Sequence, residues 1–309
     1  MTRDGENLTG APPSGTRPPG RVRGADGDGA SSVPALTVII PAHDEAMVLP
    51  RLLGALDVPD VEIIVVCNGC TDGTADIARM VLPRATVLET ATPSKVVALQ
   101  LGDAAASTFP RFYLDADIEL DAPGLRELAA RLTEPGRLAV APSVAFDVSS
   151  SSYIVRAYYR VLPLLPVVAD SIAGTGCIGL SREGRSRFGE WPLVLADDYF
   201  LDGLFGSMEK ARIANVVARV GVPLRARDLV RRRQRVIWGN RQVEAMALRH
   251  ARSGSGRGLL TLVWKQPRRA FDVLVFASVA VWVRGTLGVA RLRGHTIGWN
   301  RDQSRVRVT

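Results

Sequence analysis

Short β-rich runs alternating with helical patterns predict an α/β domain with a mainly parallel sheet. Three polar motifs, each closing such a run, predict a ligand crevice along one edge of that sheet. The chain has 309 residues, 47% of them hydrophobic, enough for one large α/β domain or two small ones around a substantial core.

Residues 1–34 contain seven Gly and five Pro and no apolar stretch, so they read as a disordered tail without a signal peptide. The run Val38-Ile39-Ile40 marks a first strand from Leu36 to Pro41, and Asp44 to Leu56 follows as a helix despite Pro50. Val61 to Asn68, with Ile63-Ile64-Val65-Val66, is the second strand, followed by a helix from Gly73 to Val81. Thr86 to Glu89 and Arg111 to Asp115 are strands flanking a helix from Lys95 to Ala106. A helix from Ala122 to Leu132 leads to a strand from Leu138 to Phe146.

Beyond Asp147 the rhythm loosens. Ser149 to Ser152 is a polar break, and Val161 to Val168 carries two prolines that argue against an ordinary buried helix. A loop or short helix bordering an apolar acceptor, an interfacial segment and a proline-kinked core segment all fit it. Near the end, Phe271 to Val283 is apolar except for Asp272, and Arg284 separates it from Gly285 to Ala290. An uninterrupted run below roughly 18 residues is short for a membrane span. A helix that is buried or lies at a membrane interface is expected, with a tilted span as the alternative.

The net charge of +8 is uneven. Residues 209–309 hold 22 Lys+Arg against 5 Asp+Glu, and residues 1–208 hold 17 against 26. A basic segment of this kind suits ligand phosphates or an anionic membrane surface. Nucleic acid is not the expected partner, because no zinc-finger spacing or aromatic nucleic-acid motif accompanies the arginines. With only Cys67, Cys70 and Cys177 there is no disulfide framework, and a reducing, cytoplasmic setting is expected, in part at the cytoplasmic face of the membrane.

The strand-end motifs are Pro41-Ala42-His43-Asp44-Glu45, Cys67-Asn68-Gly69-Cys70-Thr71-Asp72-Gly73-Thr74 and Asp115-Ala116-Asp117. Singly, each has an ordinary explanation as a cap or a turn. Jointly they face one crevice, and the two carboxylates of Asp115 and Asp117 call for a cation or polar ligand between them. Lys95 adds a second sign. With Ser94 as cap it sits in the first turn of a helix, where the macrodipole disfavours a cation unless an anion is near.

These stretches, in this order and spacing, resemble the family 2 glycosyltransferases, and Ser94-Lys95 through Gly102 is similar to the lysine-containing helix of that family. The resemblance covers roughly residues 36–240. It implies a GT-A fold, a Rossmann-like nucleotide-diphospho-sugar transferase domain, and inverting transfer from a nucleotide-sugar, expected to be a UDP-sugar, to a hydroxyl acceptor that is lipid-linked or belongs to the cell envelope. By the same resemblance Pro41, Ala42, Asp44, Glu45, Asn68, Asp72 and Lys95 belong to the donor side with Asp115, Ala116 and Asp117. Asp117, with Asp115, is the expected ligand of a divalent metal, Mg2+ or Mn2+.

The acidic pair Asp197-Asp198 resembles the family's catalytic pair, with Asp198 as general base and Asp197 supporting it; a positioned carboxylate is what makes a hydroxyl a usable nucleophile. Gly174 and Gly176 in Ala173-Gly174-Thr175-Gly176-Cys177 resemble an acceptor-side loop. In Arg232-Arg233-Gln234-Arg235-Val236-Ile237-Trp238-Gly239 the resemblance assigns Arg232 and Arg235 to the diphosphate and Trp238 to the acceptor. The spacing departs from the Gln-x-x-Arg-Trp pattern of processive synthases, which favours single addition. Cys67 replaces an acidic residue that reads the nucleobase, and His43-Asp44 replaces an aromatic-Asn pair.

Three rivals remain at this level. Cys67-x-x-Cys70 superficially suits a thioredoxin-type redox site. Two aspartates at a strand end also suit a haloacid-dehalogenase-like phosphatase, although Glu119 stands where that family has Thr or Val. The third is a non-catalytic, membrane-associated nucleotide-sugar-binding protein. The expected organisation is a tail (1–34), a GT-A domain (35–240) and a basic helical extension (241–309).

Overall fold

The computed structural model describes residues 35–246, 259, 262, 264 and 266–292. The disordered tail expected for 1–34 lies outside them, as do residues 247–258 and 293–309 of the C-terminal extension.

The first half runs β1 (Leu36–Ala42), α1 (Leu49–Ala55), β2 (Val61–Asn68), α2 (Thr74–Val81), β3 (Thr86–Thr90), α3 (Lys95–Ala105) and β4 (Arg111–Leu114). The second half runs β5 (Ile118–Glu119), α4 (Ala122–Arg131), β6 (Ala139–Asp147), α5 (Tyr153–Val161), a 3-10 turn at Leu162–Leu164 and α6 (Pro166–Ala169). It continues with β7 (Cys177–Leu180), α7 (Arg182–Ser186), α8 (Asp197–Leu204), β8 (Lys210–Gly221) and α9 (Ala226–Ala245). A 3-10 turn at Pro267–Arg269 opens α10 (Ala270–Leu292).

One eight-stranded sheet has the order β3-β2-β1-β4-β7-β6-β8-β5. Strands β3, β2, β1 and β4 are parallel, and β7 enters antiparallel between β4 and β6. Because successive side chains of a strand point to opposite faces, β1 sends Val38 and Ile40 toward α1 and α2 and Ile39 toward α3. Covered on both faces, β1 is buried throughout and reads as a continuous apolar run. Gly102 lets α3 settle on β1, since a Cβ there would overlap the Ile39 side chain.

The five predicted strands appear as β1 to β4 and β6, with the two-residue β5 between them unpredicted, and four further corrections follow. Helix α1 begins at Leu49 rather than Asp44: Asp44 takes φ 52°, the left-handed region, and its carboxylate turns to the neighbouring loop. Pro50 then sits in the first turn, where its missing N–H is not needed. Strand β7 lies directly behind the glycine loop, too short at four residues to announce itself. Strand β8 is a twelve-residue strand interrupted by charges at Arg212 and Arg219, and α9 is a twenty-residue helix that runs through residue 240. Finally, α10 continues through Arg284 and Gly285, so that Pro267–Gly288 has the length and composition of a span, with mean hydropathy 1.6 and 28% of that window buried.

Helices α5, α9 and α10 form a layer of their own. Val155 and Tyr158 of α5 and Leu229 of α9 cluster with Val273, Phe276 and Val283 of α10. Tyr158 stacks on Phe276 with centroids 4.6 Å apart, and Gln234 Nε2 donates to Thr286 Oγ1 at 2.7 Å.

Candidate active site

The carboxyl ends of β1 and β2 are locked together by the polar residues that follow them. Asp44 accepts from the Thr71 backbone N–H at 2.6 Å and from that of Asp72 at 3.3 Å, and its carboxyl is held below the ordinary value chiefly by the Thr71 bond. Asp72 in turn accepts from the N–H groups of Thr74 (3.0 Å) and Ala46 (3.3 Å), and the Glu45 N–H donates to Thr74 Oγ1 at 2.9 Å. Buried Asn68 donates from Nδ2 to the Ala42 carbonyl at 2.8 Å, while His43 Nδ1 lies 2.6 Å from the Asn68 carbonyl. Pro41 and Ala42 are buried in β1 and support this loop pair from beneath.

A cleft of about 420 Å³ beside it is lined by Cys67, Gly69, Cys70, Thr71, Glu89, Thr90 and Ala91. Gly69 takes φ 58° and a Cβ on it would come within 2.7 Å of Pro93 Cβ, so the second motif presses against the entry to α3. Burial pushes the Cys67 thiol up to about 12, the reverse of what a thiolate nucleophile needs, which removes the redox reading its support. Asp44, Cys70 and Asp72 bring one ligand atom each within 4.8 Å of one another. The two carboxylates there already accept the loop's N–H groups, so the trio acts as a lock between loops.

Lys95 joins the two halves of the crevice. Ser94 caps α3 through the Val97 N–H (3.4 Å), and Lys95 Nζ lies 2.7 Å from Asp115 Oδ1 and 2.9 Å from Asp197 Oδ2. Burial opposes the charge on Lys95, but attraction from Asp115 and Asp197 outweighs it and raises the ammonium above its ordinary value. The anions that this helix start calls for are thus a carboxylate of the Asp115-Ala116-Asp117 loop and one of the downstream pair. Asp197 is displaced upward, by burial first and by the charges of Asp198 and Asp115, against the pull of Lys95.

The other half is assembled from distant segments. The Asp115 N–H donates to the Gly176 carbonyl at 2.8 Å, and Gly176 (φ 72°) has no room for a Cβ because Ile118 fills that space. Gly174, at φ 73°, donates its N–H to Asp198 Oδ2 at 2.8 Å, and the Tyr199 N–H donates to Asp198 Oδ1 at 2.7 Å. The glycine loop therefore touches Asp115 at one end and Asp198 at the other. Beneath it Thr175 Oγ1 donates within the loop, Arg212 donates to the carbonyls of Ser171 and Ala173, and Asp202 accepts from the Ile172 N–H while pairing with buried Lys210 at 2.7 Å.

Helix α9 braces the acidic pair from outside. Gly239 lies so close to Ala196 that a Cβ would meet Ala196 Cβ at 2.9 Å and its backbone N at 3.0 Å. Gln242 Oε1 accepts from the Leu195 N–H at 2.9 Å, and Tyr199 Oη donates to Glu244 at 3.2 Å. Arg232, Arg235, Gly239 and Gln242 recur at three- and four-residue spacing and so share a face, with Trp238 beside Gly239. Arg232 spends a guanidinium N–H on the Gly221 carbonyl at 3.0 Å, a bond to the end of β8. Arg212, Gln242 and Glu244 escape the sequence reading; the helical repeat running on from Arg235 to Gly239 is the signal that reaches Gln242.

Residues 37–170 match the model of glycosyl transferase family 2. Among solved structures, a mannosyltransferase from Pyrobaculum calidifontis, in complex with GDP-Man and Mn2+, is similar at 23% identity and a TM-score of 0.55, over 84% of this chain and 81% of that one. A glucosyl-3-phosphoglycerate synthase from Mycobacterium tuberculosis, in complex with Mn2+, UDP-Glc and phosphoglyceric acid, is similar at 20% identity and a TM-score of 0.50, over 67% and 79%. Identities this low speak for the fold. No curated protein sequence matches the chain. The match to the glycosyl transferase family 2 model, over residues 37–170, thus lies on a sheet whose fold is that of the similar glycosyltransferase structures.

Proposed function

We propose that the chain transfers a sugar from a nucleotide-sugar to an acceptor hydroxyl with inversion at the anomeric carbon. The observation that carries this reading is the Lys95 bridge, 2.7 Å to Asp115 and 2.9 Å to Asp197, with Asp198 next in sequence and tied to Gly174. A donor-side loop, an acidic pair and a glycine loop meet at one lysine, as a transfer between two substrates requires.

In this reading the nucleoside rests against the locked loops after β1 and β2, with the base in the cleft of Cys67 and Glu89. Asp198 takes the hydroxyl proton as the acceptor oxygen bonds to the anomeric carbon, and the bond to the diphosphate breaks on the opposite face. Each Asp198 oxygen receives one backbone N–H and keeps a lone pair for that proton. Lys95 holds Asp115 and Asp197 in register. The carboxylates of Asp115 and Asp117 are the hard oxygen donors that a divalent cation takes, and with Asp115 Oδ1 on Lys95 the larger share falls to Asp117. Such a cation, when bound, offsets the charge that gathers on the departing diphosphate.

The donor remains to be chosen, and UDP-sugars come first, with GDP-mannose beside them because GDP-Man and UDP-Glc are the donors bound in the two similar structures. The test is a screen of these donors for hydrolysis and transfer, with and without Mn2+ or Mg2+. The expected result is metal-dependent turnover of one donor class that Asp117→Asn and Asp198→Asn each abolish. Full transfer rate in both variants would falsify the proposal.

A further inference from the structure

Helix α10 keeps one apolar face inward and turns a second one out. Val273, Phe276, Val279, Val283 and Leu287 are buried in the layer with α5 and α9. The same periodicity leaves Phe271 (59% exposed), Leu274 (62%), Val281 (69%) and Trp282 (55%) on the outside. The Tyr153 ring of α5 extends this face, 5.8 Å from that of Phe271, and Ile154 beside it is exposed as well. Large apolar side chains gathered on one surface mark a binding face rather than scatter.

Charge names the occupant. Arg268 is exposed just before the helix, Arg284 is exposed on the flank between its buried and outward faces, and Arg160 stands half-exposed beside Asp272. Residues 209–309 hold 22 Lys+Arg against 5 Asp+Glu. A second copy of the chain would bring the same arginines against themselves, whereas an anionic bilayer offers acyl chains to the aromatics and headgroups to the arginines.

Geometry decides how the helix meets it. The buried positions run from Val273 to Leu287, so the domain lines α10 along most of its length. Asp272 lies 3.7 Å from Arg160 near one end, and Thr286 accepts from Gln234 near the other. A spanning helix would have to give up all of these contacts. We propose that α10 lies flat on an anionic membrane surface and seats the enzyme there through Phe271, Leu274, Val281 and Trp282, with Arg268 and Arg284 on headgroups.

The test is co-sedimentation of the full chain with phosphatidylcholine vesicles, with and without phosphatidylglycerol, at low and high salt. Wild type should bind the phosphatidylglycerol vesicles and lose part of that binding in high salt. Leu274→Glu/Trp282→Glu should weaken it by at least about tenfold, and Arg268→Glu/Arg284→Glu should remove the preference for anionic lipid, both with unchanged circular dichroism and thermal midpoint. These residues lie outside the transfer site, so donor hydrolysis in free solution should not change. Failure of wild type to bind, equal binding to the neutral vesicles, or unchanged binding of the Glu variants overturns the proposal. So does a stable dimer in ultracentrifugation that Leu274→Glu/Trp282→Glu dissociates.

Discussion

The two halves of the crevice are built differently. On the side proposed for the donor, the loops after two adjacent parallel strands bond to each other across one β-α-β unit, 26 or 27 residues apart: Asp44 to Thr71, Asp72 to Ala46, Asn68 to Ala42. On the side proposed for the acceptor the bonds join three separate pieces, the glycine loop, the start of α8 and helix α9: Gly174 with Asp198 at 24 residues, Leu195 with Gln242 at 47, Tyr199 with Glu244 at 45. One β-α-β unit completes the first loop pair, whereas the proposed base Asp198 is in place only once the glycine loop and the start of α8 have come together, with α9 bracing them. Lys95, together with the glycine loop that accepts the Asp115 N–H, ties one half to the other.

The contrast breaks most sharply at its two ends. Asp198→Asn should lower kcat by about 10²–10⁴-fold, with donor binding by titration unchanged, because only the proton acceptor is lost. Donor affinity falling in step with kcat would mean that the acceptor half also shapes the donor site. Next in size is Lys95→Gln, which leaves Asp115 and Asp197 facing each other without a cation. Stability should drop by about 1–2 kcal/mol in a denaturant melt, short of the roughly 3–5 for a fully buried pair because water still reaches the group. Both kcat and donor affinity should fall together, and a change confined to one of them would remove Lys95 as the link.

How much of this is legible in sequence follows the same division. Strands β1 to β4 and the loops after them read directly, since each is a short run of β-branched or aromatic residues closed by turn chemistry. The acceptor half was legible as residue names, Gly174, Gly176, Asp197 and Asp198, without the bonds that join them. Those bonds depend on β7 between β4 and β6, a strand of four residues, and on α9, a helix whose many arginines mask its buried face. Asp44 shows the opposite failure. A local rule made it a helix cap, and a tertiary bond to Thr71 placed it at φ 52° instead.

A finer cut between the halves comes from Gly239→Ala. The added methyl meets Ala196 Cβ at 2.9 Å, and α9 must shift by a few tenths of an ångström away from the acidic pair. Overpacking of this kind costs about 1–3 kcal/mol, and the displaced Asp198 should cost kcat about tenfold while donor KM holds. Gln242→Leu should repeat the pattern more weakly by releasing the Leu195 N–H. Measured by steady-state kinetics, an effect on donor KM with intact kcat would assign α9 to the donor side instead.

The smallest effect should come from Asp44→Asn, which keeps an acceptor for Thr71 and removes only its charge. The donor loops should loosen by less than about 1 kcal/mol, since the bond remains near water. Its pH dependence carries the diagnosis. The folded Asp44 carboxyl lies below its ordinary value of 3.8, through the Thr71 bond first. Its stabilising contribution is therefore complete above that value and is lost as pH falls through the folded pKa. The difference in thermal midpoint between wild type and Asp44→Asn should be flat toward neutrality and shrink only on the acid side of the ordinary carboxyl range. A difference that grows on acidification would mean that Asp44 binds its proton more tightly in the folded chain, and the lock between the first two loops would then have to rest on Asn68 and Asp72.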